Sequence, residues 1–170
     1  MNNSTSSVTE RKTKKILSIV QIILMVVAAF LPYIEGMFRW TVWTFDGSYN
    51  KKIPMSLENL ILTQEIGFSP LLFYAFYITL IAMIAFCIFQ IFKENHPLSK
   101  NKASITLPLA SLLFSSIMMF TVNLHNDSFF TEWGELRYVA ARMQALAYVH
   151  LLILIAASII EIYKQFKIQD

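Results

Sequence analysis

The chain has 170 residues, 56% of them hydrophobic and 15% charged, with a formal net charge of +3. A soluble domain carries about 25% charged residues. The mean hydropathy here is +0.53, and the charges fall in short stretches between long apolar segments, which rules out a soluble enzyme, a disordered chain and a nucleic-acid-binding domain. The pI of about 9.0 comes from basic residues that flank apolar spans, the usual pattern at membrane borders. A single cysteine, Cys87, provides no disulfide framework, cysteine zinc site or dithiol pair.

Residues 1–15 open the chain. Met1 to Glu10 is polar and poor in apolar residues, which predicts disorder. The cluster from Arg11 to Lys15 predicts a topogenic anchor that also attracts anionic lipid. The first apolar run, about 16–34 (ILSIVQIILMVVAAFLPYI), meets the roughly 20 helical residues that a bilayer core about 30 Å thick requires. Val27-Ala28-Ala29 has the form of a signal-peptidase site. The apolar run continues through Phe30 to Ile34, however, so a retained span is expected.

The first outer loop, 35–69, pairs a β-prone run, Phe38 to Phe45, with Asp46-Gly47 and a second run, which predicts a β-hairpin. Ser56 is placed to cap a short interfacial helix, Leu57 to Ile66, closed by Gly67. Phe38, Trp40 and Trp43, with Trp133 from the second loop, are candidates for an outer recognition surface, because aromatic side chains dominate binding hot spots. An interfacial aromatic belt explains the same residues more plainly. Strand alternation sends Trp40 and Trp43 to opposite faces.

The second span, about 70–92, opens with Ser69-Pro70, a cap followed by proline at the first helical position. The connection 93–102 is too short for a domain, and His96 within it reads as solvated. The third span, about 103–122, is the least apolar, with Ser111, Ser115, Ser116 and an internal Pro108. Pro32 and Pro108 are expected to kink or end their helices. Ser111-x-x-x-Ser115 and Ala141-x-x-x-Ala145 allow close helix approach.

The second outer loop, 123–137, gathers His125, Asp127, Glu132 and Glu135. Their spacing matches no metal-ligand motif, so a solvated loop is expected, with Phe129, Phe130 and Trp133 at the interface. Asn126-Asp127-Ser128 is a glycosylation sequon that only a secretory pathway would use. The richness in Ile, Phe, Lys and Asn leans toward a bacterial genome and a plasma (cell) membrane.

The fourth span is read as about 138–163. Arg142 and Glu161, the latter three residues before Lys164, lie close enough to its ends to reach water. His150 falls near the midpoint and makes, with Gln144 and Tyr148, a candidate intramembrane polar site. An interhelical hydrogen bond is the plainer reading of His150. A proton relay would need a chain of ionisable groups.

Nine Lys and Arg flank one side (11–15, 93–102 and the tail 164–170), against five on the other. The positive-inside rule therefore puts both termini in the cytoplasm. The expected fold class is an all-α integral membrane protein: one four-transmembrane-helix bundle with a small extracytoplasmic β-hairpin and short helix in the first outer loop. This order of spans and loops resembles the claudin topology. Trp40-x-x-Trp43 loosely matches that family's tryptophan motif, the first-loop cysteine pair is missing, and no residue role is carried across.

The functional expectation is a non-catalytic, multi-pass membrane protein acting through protein–protein contacts, as an accessory subunit, assembly factor or immunity-type factor. Its partners would be the lipid bilayer and another membrane protein or itself, with no nucleic acid, metal or cofactor. The alternative is a small oligomeric transporter or channel using the polar residues of the fourth span. An intramembrane enzyme ranks last, since paired cysteines and a nucleophile–base set are both missing.

Overall fold

A computed structural model describes residues 3–63, 69–93, 96 and 101–166. In chain order the elements are α1 (Asn3–Phe30), β1 (Phe38–Thr44), β2 (Asn50–Met55), α2 (Leu57–Thr63), α3 (Ser69–Phe92), α4 (Thr106–Asn123), β3 (Asn126–Phe130), β4 (Leu136–Met143) and α5 (Ala145–Phe166). Four helical stretches are long and apolar enough to cross a membrane: Thr9–Tyr33, Pro70–Phe92, Lys102–Leu124 and Ala145–Phe166. The prolines punctuate them. Pro32 sits in a 3-10 turn, Leu31–Tyr33, that closes α1. Pro108 falls in the first turn of α4, behind a 3-10 turn over Lys102–Ile105, where backbone N–H groups have no helical acceptor to lose.

The chain forms two compact units. One comprises Met1–Ala29, Ala75–Leu113 and Leu152–Asp170; the other comprises Phe30–Tyr74 and Phe114–Leu151. In the first unit the helices bury several polar residues beside apolar ones such as Met25, Phe76 and Met83, and expose a largely apolar outer face. Ser18, Gln21, Gln90, Glu161 and Lys164 are buried, while Ile16, Ile23, Ile78, Ile81 and Ile159 are exposed. An exposed face this apolar suits lipid as the solvent, whereas in water it would drive aggregation.

The second unit holds a four-stranded antiparallel sheet in the order β2-β1-β4-β3. The first-loop hairpin is present as expected, with Phe38 opposite Met55 and Trp43 opposite Asn50. Ser56 Oγ accepts the amide of Asn59 at 3.0 Å, which is the expected cap of α2. Leu57, Leu60 and Ile61 of α2 are fully buried; the expected helix end at Ile66 and Gly67 lies outside the described residues.

The second outer loop is not a simple solvated connection. Its residues form the β3–β4 hairpin, and β4 pairs with β1 from Phe38↔Met143 to Thr44↔Arg137. The fourth helix therefore begins at Ala145 rather than Tyr138. Tyr138 to Met143 reads as the start of a span because β4 is a central strand, buried at Val139, Ala140, Ala141 and Met143. A short continuous apolar run of that kind has no period that separates strand from helix.

Both hairpin turns use one device. Thr44 accepts from the amide of Gly47 through its carbonyl (3.1 Å), and Thr131 accepts likewise from Gly134 (2.9 Å). Each threonine hydroxyl then takes a further amide, Tyr49 at 3.0 Å and Glu135 at 3.1 Å. Gly47 and Gly134 have φ of 74° and 76°, a left-handed conformation that side-chain-bearing residues rarely adopt.

Candidate functional site

Strand alternation divides the sheet into two faces. Phe38, Trp40, Val139, Ala141 and Met143 are buried on the inner face, and Trp40 stacks on His125 with centroids 5.8 Å apart. The outer face carries the other phase. Following the pairing register, Arg39 and Arg142 stand with Pro54 at one end, Lys52, Thr41 and Ala140 in the middle, and Trp43, Tyr138 and Phe130 towards the other. Trp43 and Tyr138 stack at 6.2 Å, and Phe45 leans on Tyr138 at 6.5 Å. Phe45, Phe130 and Trp133 are 88%, 73% and 90% exposed, too open to be explained as packing.

The candidate recognition residues are thus split between the two faces. Phe38 and Trp40 are buried on the inner face, Trp43 is half-buried on the outer face, and Trp133 is exposed in the β3–β4 turn. Two acids of the second loop make local contacts: Asp127 accepts the Ser128 amide at 2.7 Å, and Glu135 pairs with Arg137 at 3.1 Å. Among the described residues no three of His, Cys, Asp and Glu converge as a metal-binding set.

Arg142 does not snorkel from a membrane helix. It lies in β4, and its guanidinium donates to the carbonyl of Asn123 at 2.8 Å and to Asn126 Oδ1 at 2.8 Å. Asn123 ends α4, so Arg142 places a cation on unpaired carbonyls at the negative end of a helix dipole. The neighbouring Met143 amide binds Asn123 Oδ1 at 2.7 Å.

The expected intramembrane trio is not joined. His150 is fully buried, and its Nε2 lies 3.0 Å from Ser115 Oγ on α4. Gln144 sits at the β4–α5 junction, its amide donating to the carbonyls of Met143 and Arg142, while Tyr148 is 54% exposed. With the span starting at Ala145, His150 is about 8 Å from the helix midpoint at 1.5 Å per residue, not at the centre.

A polar centre whose Glu161 and Lys164 are expected at the water boundary lies in the first unit. Glu161 and Lys164 are both fully buried, with Lys164 Nζ 2.7 Å from Glu161 Oε2. The ammonium has three donors, and it meets three oxygens: Glu161 Oε2, Gln90 Oε1 at 2.7 Å and Ser18 Oγ at 3.2 Å. Glu161 Oε1 accepts from Ser104 and Gln165, both at 2.7 Å, and from Gln90 at 3.4 Å. Cys87 Sγ donates to Gln21 Oε1 at 3.3 Å, and Gln21 donates onward to the Ala157 carbonyl at 2.9 Å. A signal was present in the sequence: Ser18 and Gln21, Cys87 and Gln90, and Glu161 and Lys164 are each three residues apart, which puts each pair on one helix face.

No family model matches the chain, and no curated protein or solved structure does.

Proposed function

We propose that this is a non-catalytic, multi-pass membrane protein that acts through protein–protein contacts made by its outer sheet. The four apolar helices form a bundle in a cell membrane of bacterial type, with both termini cytoplasmic and the sheet outside. The observation carrying this reading is the sheet itself. Two loops are merged into one surface through β1–β4 pairing, which joins residues from Thr44↔Arg137 to Phe38↔Met143, 93 to 105 positions apart in the chain, and that surface leaves Phe45, Phe130 and Trp133 uncovered. Mere connection of helices needs none of this, and exposed aromatics on a rigid scaffold are the usual anchors of recognition.

Site-specific photo-crosslinking in cells tests it. A photoreactive residue in place of Phe130 or Trp133 is expected to give a discrete protein adduct, and one in place of the exposed helix residue Leu71 only lipid adducts. Lipid adducts at all three positions would refute the reading.

The Glu161–Lys164 centre favours a second reading, a small oligomeric transporter or channel, since ionisable groups inside a span often mark a pathway. Ion or proton flux in liposomes that disappears in Glu161→Gln, with the fold retained, would favour that reading. The ion pair and the hydrogen bonds that Gln90, Ser18, Ser104 and Gln165 make to it favour a structural role instead.

A further inference from the structure

Among the described residues, neither Arg39 nor Lys52 on the outer sheet face makes an ion pair. Arg39 of β1 is directly opposite Arg142 of β4, and Lys52 of β2 is two residues along from Arg39's partner Pro54 on the same face. Like charges opposed on adjacent strands destabilise a sheet. Arg142 is drawn off to the Asn123 carbonyl and Asn126. Arg39 and Lys52 are exposed, and the ion pairs found among the described residues, Arg137–Glu135 and Lys164–Glu161, involve neither of them.

These two cations border a cleft of about 220 Å³ lined by Gly36, Phe38, Arg39, Lys52, Pro54 and Gln144. Its position is defined by the chain. Gly36 follows the turn that closes the first apolar span, and Gln144 immediately precedes the span beginning at Ala145. The cleft therefore stands where the sheet meets two span ends, at the depth of lipid headgroups. The planar fork of Arg39 matches a phosphate bidentately, with Lys52 beside it as a point charge. We propose that the Arg39–Lys52 cleft binds the phosphodiester of an anionic phospholipid headgroup. This inference goes beyond the protein-contact reading, because it uses the opposite end of the face from the exposed aromatics.

The test uses the full chain purified in a mild non-ionic detergent and titrated separately with dioctanoyl phosphatidylglycerol, dioctanoyl phosphatidylcholine and sodium phosphate. Phosphatidylglycerol is expected to bind more tightly than the other two. A basic residue near a lipid surface contributes about fivefold in affinity, so Lys52→Gln should weaken phosphatidylglycerol binding about fivefold and Arg39→Gln/Lys52→Gln about 25-fold, with phosphatidylcholine binding unchanged. Lys51→Gln, which removes one positive charge from the opposite face of β2, should leave it unchanged. The single Lys52 variant keeps the test decisive if the double variant does not fold. Equal affinity for the two lipids, phosphate binding as tight as phosphatidylglycerol, or a loss in Lys51→Gln equal to that in Lys52→Gln would each overturn the proposal.

Discussion

Lys164 Nζ lies against three oxygens, pairing with Glu161 Oε2 and donating to Gln90 Oε1 and Ser18 Oγ, while Glu161 Oε1 accepts from Gln90, Ser104 and Gln165. Removing one member leaves a buried charge uncompensated, which costs about 3–5 kcal/mol. Glu161→Ala should therefore lower the unfolding midpoint in detergent sharply, and Glu161→Ala/Lys164→Met should recover part of the loss. A double variant as unstable as the single one would show that the pair is not coupled. His150 tests a smaller term. Its bond to Ser115 is an interhelical link worth about 0.6–2 kcal/mol, so His150→Leu should lose about that much stability while Trp133 crosslinking persists. Loss of the crosslink in a normally folded His150→Leu protein would give the histidine a role beyond packing. The residue types of both sites were legible in the sequence, but their partners were not. Glu161 and Lys164 stood near a span end, where reaching water was the cheaper expectation, and only the convergence of Ser18, Gln90 and Ser104 offers them a dry alternative.

At the scale of the element, the first hairpin was readable because Asp46-Gly47 meets a local demand. Gly47 takes the left-handed conformation, and Asp46 Oδ1 accepts from Thr44 Oγ1 at 2.7 Å and from the Ser48 amide at 3.0 Å. The Thr44 hydroxyl and then the Ser48 groups hold the Asp46 carboxyl down to about 2, from an ordinary value of 3.8. A carboxyl depressed by folding stabilises the turn above its unfolded value and loses that contribution as pH falls through the folded one. Protection of the Ser48 and Tyr49 amides from hydrogen exchange should therefore be constant above about pH 4 and decline toward pH 2, after correction for intrinsic exchange. Asp46→Asn should remove the dependence; an unchanged profile in that variant would refute the assignment. The second hairpin carries the same Thr-x-x-Gly device at Thr131 and Gly134. It stayed hidden because glycine alone is a weak turn signal and the following strand merged with an apolar helix.

For the whole molecule, the joining of β1 to β4 is the decisive contact, since it turns two hairpins into one sheet. It can be trapped. Val42 is paired with Val139, so Val42→Cys/Val139→Cys in a Cys87→Ser background should form a disulfide on mild oxidation. Val42→Cys/Met143→Cys, four residues out of register on the same face, should not. Failure of the first pair to close would remove the shared sheet and with it the proposed contact surface.

The sequence by itself determined four spans, their order and the first hairpin. Those features rest on local properties: the length of an apolar run against bilayer thickness, proline and serine at helix starts, and the turn chemistry of Asp-Gly. Only the tertiary structure decided that β4 is a strand, that Arg142 caps α4, and that Glu161 and Lys164 are enclosed. Each of these depends on a partner distant in the chain, and a residue's periodicity carries no record of which distant group will satisfy its backbone or its charge.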